Sequence, residues 1–204
     1  MCPHKNYYKQ HEKEEQNTDL TVIESPEIEP VSLEEAKEHL RVHHDMEDDL
    51  IENNLIPAAR EYCEGFQNLS YYTQKLIYTL DVDPDGIIEL PRPPLQEIEA
   101  VEFKNKDGDI IKVQDYFVDE NSSRILVDDW PKEEKYPMGA YRITYLAGYD
   151  EIDKVSKKVK QAMKLLIGHW YIHREQVVAD AGAIPYEVQK AVDSLLWQDR
   201  NYKA

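Results

Sequence analysis

The strongest helical pattern of the chain lies in residues 155–170, which read VSKKVKQAMKLLIGHW. Apolar residues recur there every three or four positions, the spacing that places side chains on one face of an α-helix. These apolar residues are Val155, Val159, Ala162, Met163, Leu166, Ile167 and Trp170. The basic residues, which fall mainly on the opposite face, are Lys154, Lys157, Lys158, Lys160 and Lys164. The pattern predicts an amphipathic helix that packs one face into a core.

Further helices are predicted at both ends of the chain. Pro185 suits a first helical turn, because proline has no backbone N–H to satisfy there. The apolar residues that follow it at helical spacing are Val188, Ala191, Val192, Leu195 and Leu196. Near the start of the chain, Ser32 and Glu35 have the spacing of a capping box, which predicts that a helix begins at Ser32.

A further helix is predicted from Asp45 to about Gly65. Acidic residues at its start suit the positive end of a helix, and apolar residues follow at helical spacing. Pro57 lies inside this pattern and removes one backbone donor, so we expect a kink near Asn53 and Asn54.

The segment between these helical regions has the pattern of β-strands. Its alternating apolar positions include Leu76, Tyr78, Leu80, Val101, Phe103, Tyr141, Ile143 and Tyr145. Turn sequences at 83–86 and 107–108 separate short segments, and no connection is long enough for a helix. We predict five to seven short antiparallel strands. The prolines within 90–95 place that stretch at a sheet edge or a crossing.

The predicted fold class is α+β: a bundle of about four helices interrupted by a β-rich insertion of short antiparallel strands. Residues 32–70 and 150–197 form the helical core, 71–149 form the insertion, and 198–204 form a C-terminal tail. Residues 1–31 are rich in charged residues and poor in apolar ones, so they are expected to be a flexible acidic N-terminal arm.

The charge of the chain excludes two classes of partner. Asp and Glu number 41 against 24 Lys and Arg, which gives a formal net charge of −17. Such a surface repels phosphate, so neither a protein that grips nucleic acid nor one that binds anionic membranes is expected. The sequence also has no apolar run of the roughly 20 residues that span a bilayer.

Residues with catalytic potential are few. His169 and His173 have the i, i+4 spacing by which two imidazoles bind one zinc ion, but Trp170 stands where a metalloprotease has its glutamate. The segment from His43 to Asp45 is better explained by a junction between helices, and Cys63 by burial. We therefore assign no catalytic, cofactor-binding or metal-binding residue and expect no enzyme and no cofactor. A metal-dependent hydrolase that uses His169 and His173 remains the alternative.

Several residues are candidates for protein–protein contacts. Lys157, Lys160 and Lys164 either form a solvated helix face or meet the acidic surface of a neighbouring copy. Fourteen tyrosines and three tryptophans exceed the needs of so small a core, and such residues are common at interfaces. Trp170 is a candidate on this ground.

Five blocks of sequence together resemble one protein family. They are 31–42 (VSLEEAKEHLRV), 48–51 with 58–62, 88–95 (IELPRPPL), 142–149 (RITYLAGY) and 166–175 (LIGHWYIHRE). The chain resembles the head–tail connector, adaptor or head-completion family of tailed bacteriophages, in the right order from about Val31 to Leu196. The arm before Ser32 and Pro57 depart from the family pattern.

The resemblance implies a structural virion protein without catalysis. It implies a helical bundle with a β element and a homo-oligomeric ring, usually dodecameric, beneath the portal protein. Such a ring completes the filled head, receives the stopper or tail-completion protein, and lets viral DNA pass through its lumen. The implied location is the neck of the virion, after assembly in the host cytoplasm.

The resemblance also suggests contacts for the C-terminal residues. By analogy, 185–204 reaches the portal, with Trp197 and Tyr202 as anchors. From net charge alone we expect an acidic lumen, because it would repel DNA and let it slide. A second alternative is an interaction protein outside the virion, such as an assembly chaperone.

Overall fold

The computed structural model describes residues 18–84, 86–173 and 186–201. The chain forms a helical core and a β-sandwich, joined end to end at a junction. The helices are α1 Leu33–Leu40, α2 Asp48–Leu50, α3 Ile56–Gln67, α4 Lys157–Ile172 and α5 Tyr186–Leu196. Within the described ranges, no helix is long and apolar enough to cross a membrane. The predicted α+β fold class is confirmed.

Helix α1 begins as its sequence predicts. The Ser32 hydroxyl accepts from the Glu35 backbone N–H at 3.2 Å, and the Glu35 carboxylate accepts from the Ser32 N–H at 3.2 Å. Two of the backbone donors that every helix start leaves unpaired are thus satisfied. The capping box is confirmed, and it fixes where the helical core begins.

The helix predicted from Asp45 is more irregular than its pattern suggested. Regular helix starts at Asp48, continues through a π-helical turn at Ile51–Leu55, and becomes α3 at Ile56. Pro57 lies in the first turn of α3 and has no N–H to donate back to the preceding turn. The structure therefore accommodates the proline with a π-helical turn at the position where a kink was predicted.

Antiparallel strands fill the segment between α3 and α4. They are β2 Gln74–Leu80, β3 Ile87–Glu89, β4 Leu95–Lys104, β5 Ile110–Val113, β6 Tyr116–Asp119, β7 Arg124–Val127 and β8 Tyr141–Ala147. These seven strands fall within the predicted range of five to seven. Together with an earlier strand, they make a large sheet of order β1-β2-β8-β4-β5 and a small sheet of order β3-β7-β6.

Strand β1, Thr18–Glu24, lies inside the region expected to be a flexible arm. It pairs antiparallel with β2, from Thr18 opposite Leu80 to Glu24 opposite Lys75. The backbone hydrogen bonds to β2, and the packing of Leu20 on the sandwich core, supply the stabilisation that the composition of the arm lacks. Residues 1–17 of the predicted arm lie outside the described residues.

Two apolar cores lie on either side of the junction. The helical core brings together sequence-distant halves, with Ala36, Ile51, Ile56, Ala59 and Cys63 against Val159, Ala162, Met163, Leu166, Ile167, Val192 and Leu196. The sandwich core lies between the two sheets and includes Leu76, Val101, Phe103, Ile143 and Tyr145 of the large sheet and Ile88, Ile125 and Val127 of the small one.

The chain crosses from the small sheet to the large one through the proline segment that the sequence placed at an edge or a crossing. The Pro93–Pro94 peptide is cis, and the Pro94 carbonyl accepts from the Gly148 N–H at 2.8 Å. Gly148 has φ +120°, and a Cβ there would lie 2.1 Å from the Tyr72 carbonyl oxygen. Only glycine fits this close approach, which holds the two ends of the insertion together.

Candidate interaction surfaces

The lysine face of α4 is exposed at its start and engaged farther along. Ser156 caps the helix by accepting from the Val159 N–H, and Lys157 just after it is exposed. Lys164 lies 3.5 Å from the Glu35 carboxylate on α1, so its charge is already paired within the chain. Lys157 and the half-buried Lys160 form no ion pair with any residue that the structure describes. Of the three predicted lysines, these two keep their charge available for a partner.

An exposed aromatic and basic cluster follows the end of α5. Trp197 is 55% exposed, and its ring centroid lies 6.4 Å from that of Phe66. The Arg200 guanidinium lies 5.1 Å from the Phe66 ring and 5.7 Å from the Trp197 ring. A guanidinium that lies over two aromatic rings stabilises the cluster, and part of the indole surface stays exposed. Tyr202, the other predicted anchor, lies outside the described residues.

The predicted interface residues do not form one site. Lys158 of α4 donates to the Gln198 side chain beyond α5 at 2.5 Å, so the two helices run antiparallel and Trp197 lies near the start of α4. Trp170 lies 13 residues after Lys157, about 20 Å along the helix. Its ring packs edge-on against Tyr62 at 6.4 Å, and it is partly buried on the helical core. Lys157 and Trp197 thus share one end of the bundle, whereas Trp170 packs near the other.

The histidine pair lies at the far end of α4. The rings of His169 and His173 are 4.7 Å apart between centroids, as the i, i+4 spacing predicts. Partial burial lowers the pKa of His169, and the nearby His173 lowers it further. Among the described residues there is no group of three or more side chains that could hold a metal ion. The pair therefore has no third protein ligand in the part of the chain that the structure describes.

A buried network of charges at the junction escaped the sequence analysis. The Glu64 carboxylate is fully buried and accepts from Arg60 at 2.9 Å, from the Tyr71 N–H at 2.8 Å and from the Gln74 amide at 2.9 Å. Arg92 of the proline segment lies 3.4 Å from the same carboxylate. Burial raises the pKa of Glu64, and the positive charge of Arg60 opposes that shift. This network joins α3 to the start of the sandwich.

The network extends to the segment before α1. Arg60 Nε donates to both Glu29 carboxylate oxygens, at 3.1 and 3.0 Å. The i, i+4 spacing of Arg60 and Glu64 was the one signal that the sequence offered, and it is common on solvated helices as well. Glu29 is 31 residues away from Arg60. No local pattern in the sequence could predict that contact.

Comparisons with known proteins fit this architecture. The sequence model of the family described as head completion protein matches residues 29–190. A chain in the neck of an empty GTA particle, computed with C6 symmetry, has a TM-score of 0.69 and 20% identity, with 91% of this chain and 97% of that chain covered. A chain in the virion of a native gene transfer agent particle has a TM-score of 0.65 and 19% identity, with coverage of 91% and 96%.

A third solved structure has the same fold. A chain in the neck of a native GTA particle, computed with C12 symmetry, has a TM-score of 0.59 and 18% identity, with 90% of this chain and 97% of that chain covered. No curated protein matches this chain. At these identities the likeness to solved structures establishes a shared fold over nearly the whole length of each chain.

Proposed function

This chain belongs to the head completion protein family, and from that membership we propose that it is a ring-forming head–tail connector in the neck of a phage-type virion. The single observation that carries the proposal is the extent of the family match. It runs from 29 to 190 and includes helices α1 to α4, strands β2 to β8 and the start of α5. A structural role, with no catalysis, accords with the family.

The proposed ring is supported by the particles in which the same fold occurs. The similar chains lie in necks whose structures were computed with C6 and C12 symmetry. A cyclic ring that matches a twelvefold portal would contain twelve copies of this chain. Cyclic symmetry requires two different surfaces on each copy, since each subunit contacts its neighbours through opposite sides.

We propose that the bundle end with Trp197 and the tail after it binds the portal ring. Exposed tryptophan is a frequent anchor of protein interfaces, and Arg200 adds positive charge beside it. Lys157 and Lys160 lie near this end of the bundle and give an acidic chain a local basic surface. Their proposed partner is acidic surface on a neighbouring copy.

The remaining proposed contacts follow from charge and position. A net charge of −17 suits a lumen through which viral DNA passes without adhering. The sandwich is the proposed seat of the stopper or tail-completion protein.

The decisive experiment is cryo-electron microscopy of purified particles assembled with this chain. Density for the α4–α5 pair and the sandwich in a ring below the portal is the expected result. Particles that lack the chain would overturn the proposal and favour an assembly chaperone. A ring whose lumen is lined by Lys157 and Lys160 would contradict the acidic lumen and leave the connector role intact.

A further inference from the structure

The outer face of the small sheet carries an exposed row of apolar side chains. Ile87 pairs with Leu126, and Leu126 pairs with Phe117, so these three residues lie side by side across the sheet. Ile88 and Ile125, which alternate with them, point into the sandwich core. Ile87 is 60% exposed and Phe117 is 68% exposed. We name Ile87, Leu126 and Phe117 the apolar row.

Charged residues flank the apolar row on both sides. On one side, two residues along each strand from the apolar row, Arg124 lies between Glu89 and Asp119. Arg124 forms an ion pair of 2.8 Å with Asp119. On the other side, the Asp128 N–H donates to the Asp115 carbonyl at 3.2 Å, which continues the register. Four acids against one arginine make both flanks acidic. A row of this kind fits a partner that offers apolar surface beside positive charge.

The opposite face of the sandwich has a depression of about 470 Å³ on the outer side of the large sheet. Its lining includes Asp19, Ile77, Asp81, Met138, Gly139 and Arg142. Met138 is 69% exposed at the rim, and Ile77 is half-buried in the floor. We name this feature the sheet depression.

Arg142 gives the sheet depression an unpaired positive charge. It forms no ion pair with the residues that the structure describes, and its Nε is buried without a hydrogen-bond partner. Asp19 and Asp81 also line the depression, but the Asp81 carboxylate already accepts from the Gly139 N–H at 2.6 Å. The side chain as a whole is half-buried, so a partner carboxylate that reaches its accessible guanidinium nitrogens would give it an ion pair.

The apolar row and the sheet depression lie on opposite sides of one sandwich. The two sheets share a single core, so their outer faces point away from each other. In a cyclic ring, each copy turns one side to the copy before it and the opposite side to the copy after it. Two unlike, complementary surfaces in these positions fit the contact that a closed ring repeats.

Resting on the ring of the proposed function, we propose that the apolar row of one copy docks in the sheet depression of the next copy. Phe117 packs beside Met138 and Ile77 of the neighbour, and an acidic flank of the row supplies the acceptor for Arg142. The partner is a second copy of this chain, because each copy carries both the apolar row and the sheet depression. The contact repeats around the ring and leaves no apolar row exposed once the ring has closed.

The experiment uses full-length chain with Phe117→Cys and Met138→Cys together, in a Cys2→Ser background to remove the other thiol outside the core. Under mild oxidation the double variant should form a covalent ladder that extends past the dimer, because each copy offers one thiol to each neighbour. Each single variant should stay largely uncrosslinked, since a head-to-tail contact never brings two identical positions together.

Native mass spectrometry of unmodified chain and of substituted chain provides the second measurement. Phe117→Asp and Met138→Asp should each weaken ring formation at least tenfold. Ile172→Asp is the matched control, because Ile172 is 73% exposed at the distal end of the bundle and should leave the ring unchanged. Crosslinked ladders and selective loss of the ring support the inference.

The contrary results are distinct. Intact rings of Phe117→Asp, without a ladder from the double cysteine variant, would overturn this inference and leave the connector ring standing. A crosslinked dimer from Phe117→Cys alone would also overturn it, in favour of a symmetric contact. An unmodified chain that is monomeric at every concentration and absent from particle necks would overturn the ring itself.

Discussion

The carboxylate of Glu64 lies 2.9 Å from the guanidinium of Arg60, one helical turn away on α3, and both side chains are buried. The same carboxylate accepts from Tyr71 and Gln74 at the start of the sandwich. One acidic group therefore holds the end of the helical core against the beginning of the β-strands.

Replacing Glu64 with leucine should destabilise the protein strongly. The change removes one of the two carboxylates that hold the buried Arg60, which keeps Glu29, and it leaves the Tyr71 N–H and the Gln74 amide without their acceptor. Breaking a buried pair costs about 3–5 kcal/mol. Urea unfolding followed by circular dichroism measures the loss. Glu134→Ala is the control, because its ion pair with Lys106 is exposed and should contribute less than about 1 kcal/mol. Equal losses in the two variants would show that the junction network contributes no special stability.

Stability should fall as the pH rises above the ordinary range of a thiol. Burial raises the pKa of Cys63 to about 12, whereas an unfolded cysteine titrates near about 8.5. The folded state thus binds more protons in that window, and the free energy of unfolding decreases by up to about 1.4 kcal/mol per pH unit.

The measurement is a series of urea unfolding curves between about pH 8.5 and 9.5, below the usual tyrosine titration. Cys63→Ala should abolish most of the slope in this range. Burial also raises the pKa of Tyr141 to about 12, so a second decline is expected at higher pH in both proteins. An identical slope with and without Cys63 would contradict the assignment.

Gly148→Ala should cost about 3 kcal/mol or more. The new Cβ would lie 2.1 Å from the Tyr72 carbonyl oxygen, at a backbone φ of +120° that alanine rarely adopts. Gly65→Ala is the matched control, because Gly65 lies in α3 with nothing within 4 Å of its added methyl group. Helix propensity predicts that Gly65→Ala gains about 0.5–1 kcal/mol. Thermal unfolding of the two variants should therefore shift in opposite directions.

Trp197→Ala should weaken portal binding at least tenfold and change the free energy of unfolding by less than about 1 kcal/mol, since most of the side chain stays solvated. Pull-down with purified portal rings and urea unfolding measure the two effects. Deletion of 197–204 should abolish binding.

Trp170→Ala is the counterpart of this test. Trp170 packs against Tyr62 and the helical core, so its loss should cost about 2 kcal/mol or more while portal binding persists in the folded fraction. Full portal affinity after deletion of 197–204 would rule out the proposed anchor.

Local signals in the sequence predicted the elements well. The Ser32–Glu35 capping box marks the start of α1, and the stripe from Val159 to Ile167 lies in the helical core. Both features depend on residues within a few turns of one another, so a single segment contains the information. The resemblance to head-completion proteins, seen in five such blocks, is confirmed by the family match.

Those local signals could not predict which distant segments pair with one another. Strand β1 is short and mostly exposed, and it becomes a strand because β2 offers it an edge, some sixty residues later in the chain. The contact of Glu29 with Arg60 and the alignment of Ile87 with Phe117 likewise depend on register between distant segments. The interface residues chosen by composition were accordingly scattered, with Trp170 packed away from Lys157.

The two passages of chain between the bundle and the sandwich lie side by side. Gln96 donates to both the Thr73 hydroxyl and the Gly148 carbonyl, at 2.8 Å each. It therefore connects the segment just before β2 with the segment just after β8. A module with neighbouring entry and exit points can be lengthened, trimmed or exchanged without altering the helices that carry it. If the sandwich seats the tail as proposed, evolution has a simple route to change that seat while the helices stay the same.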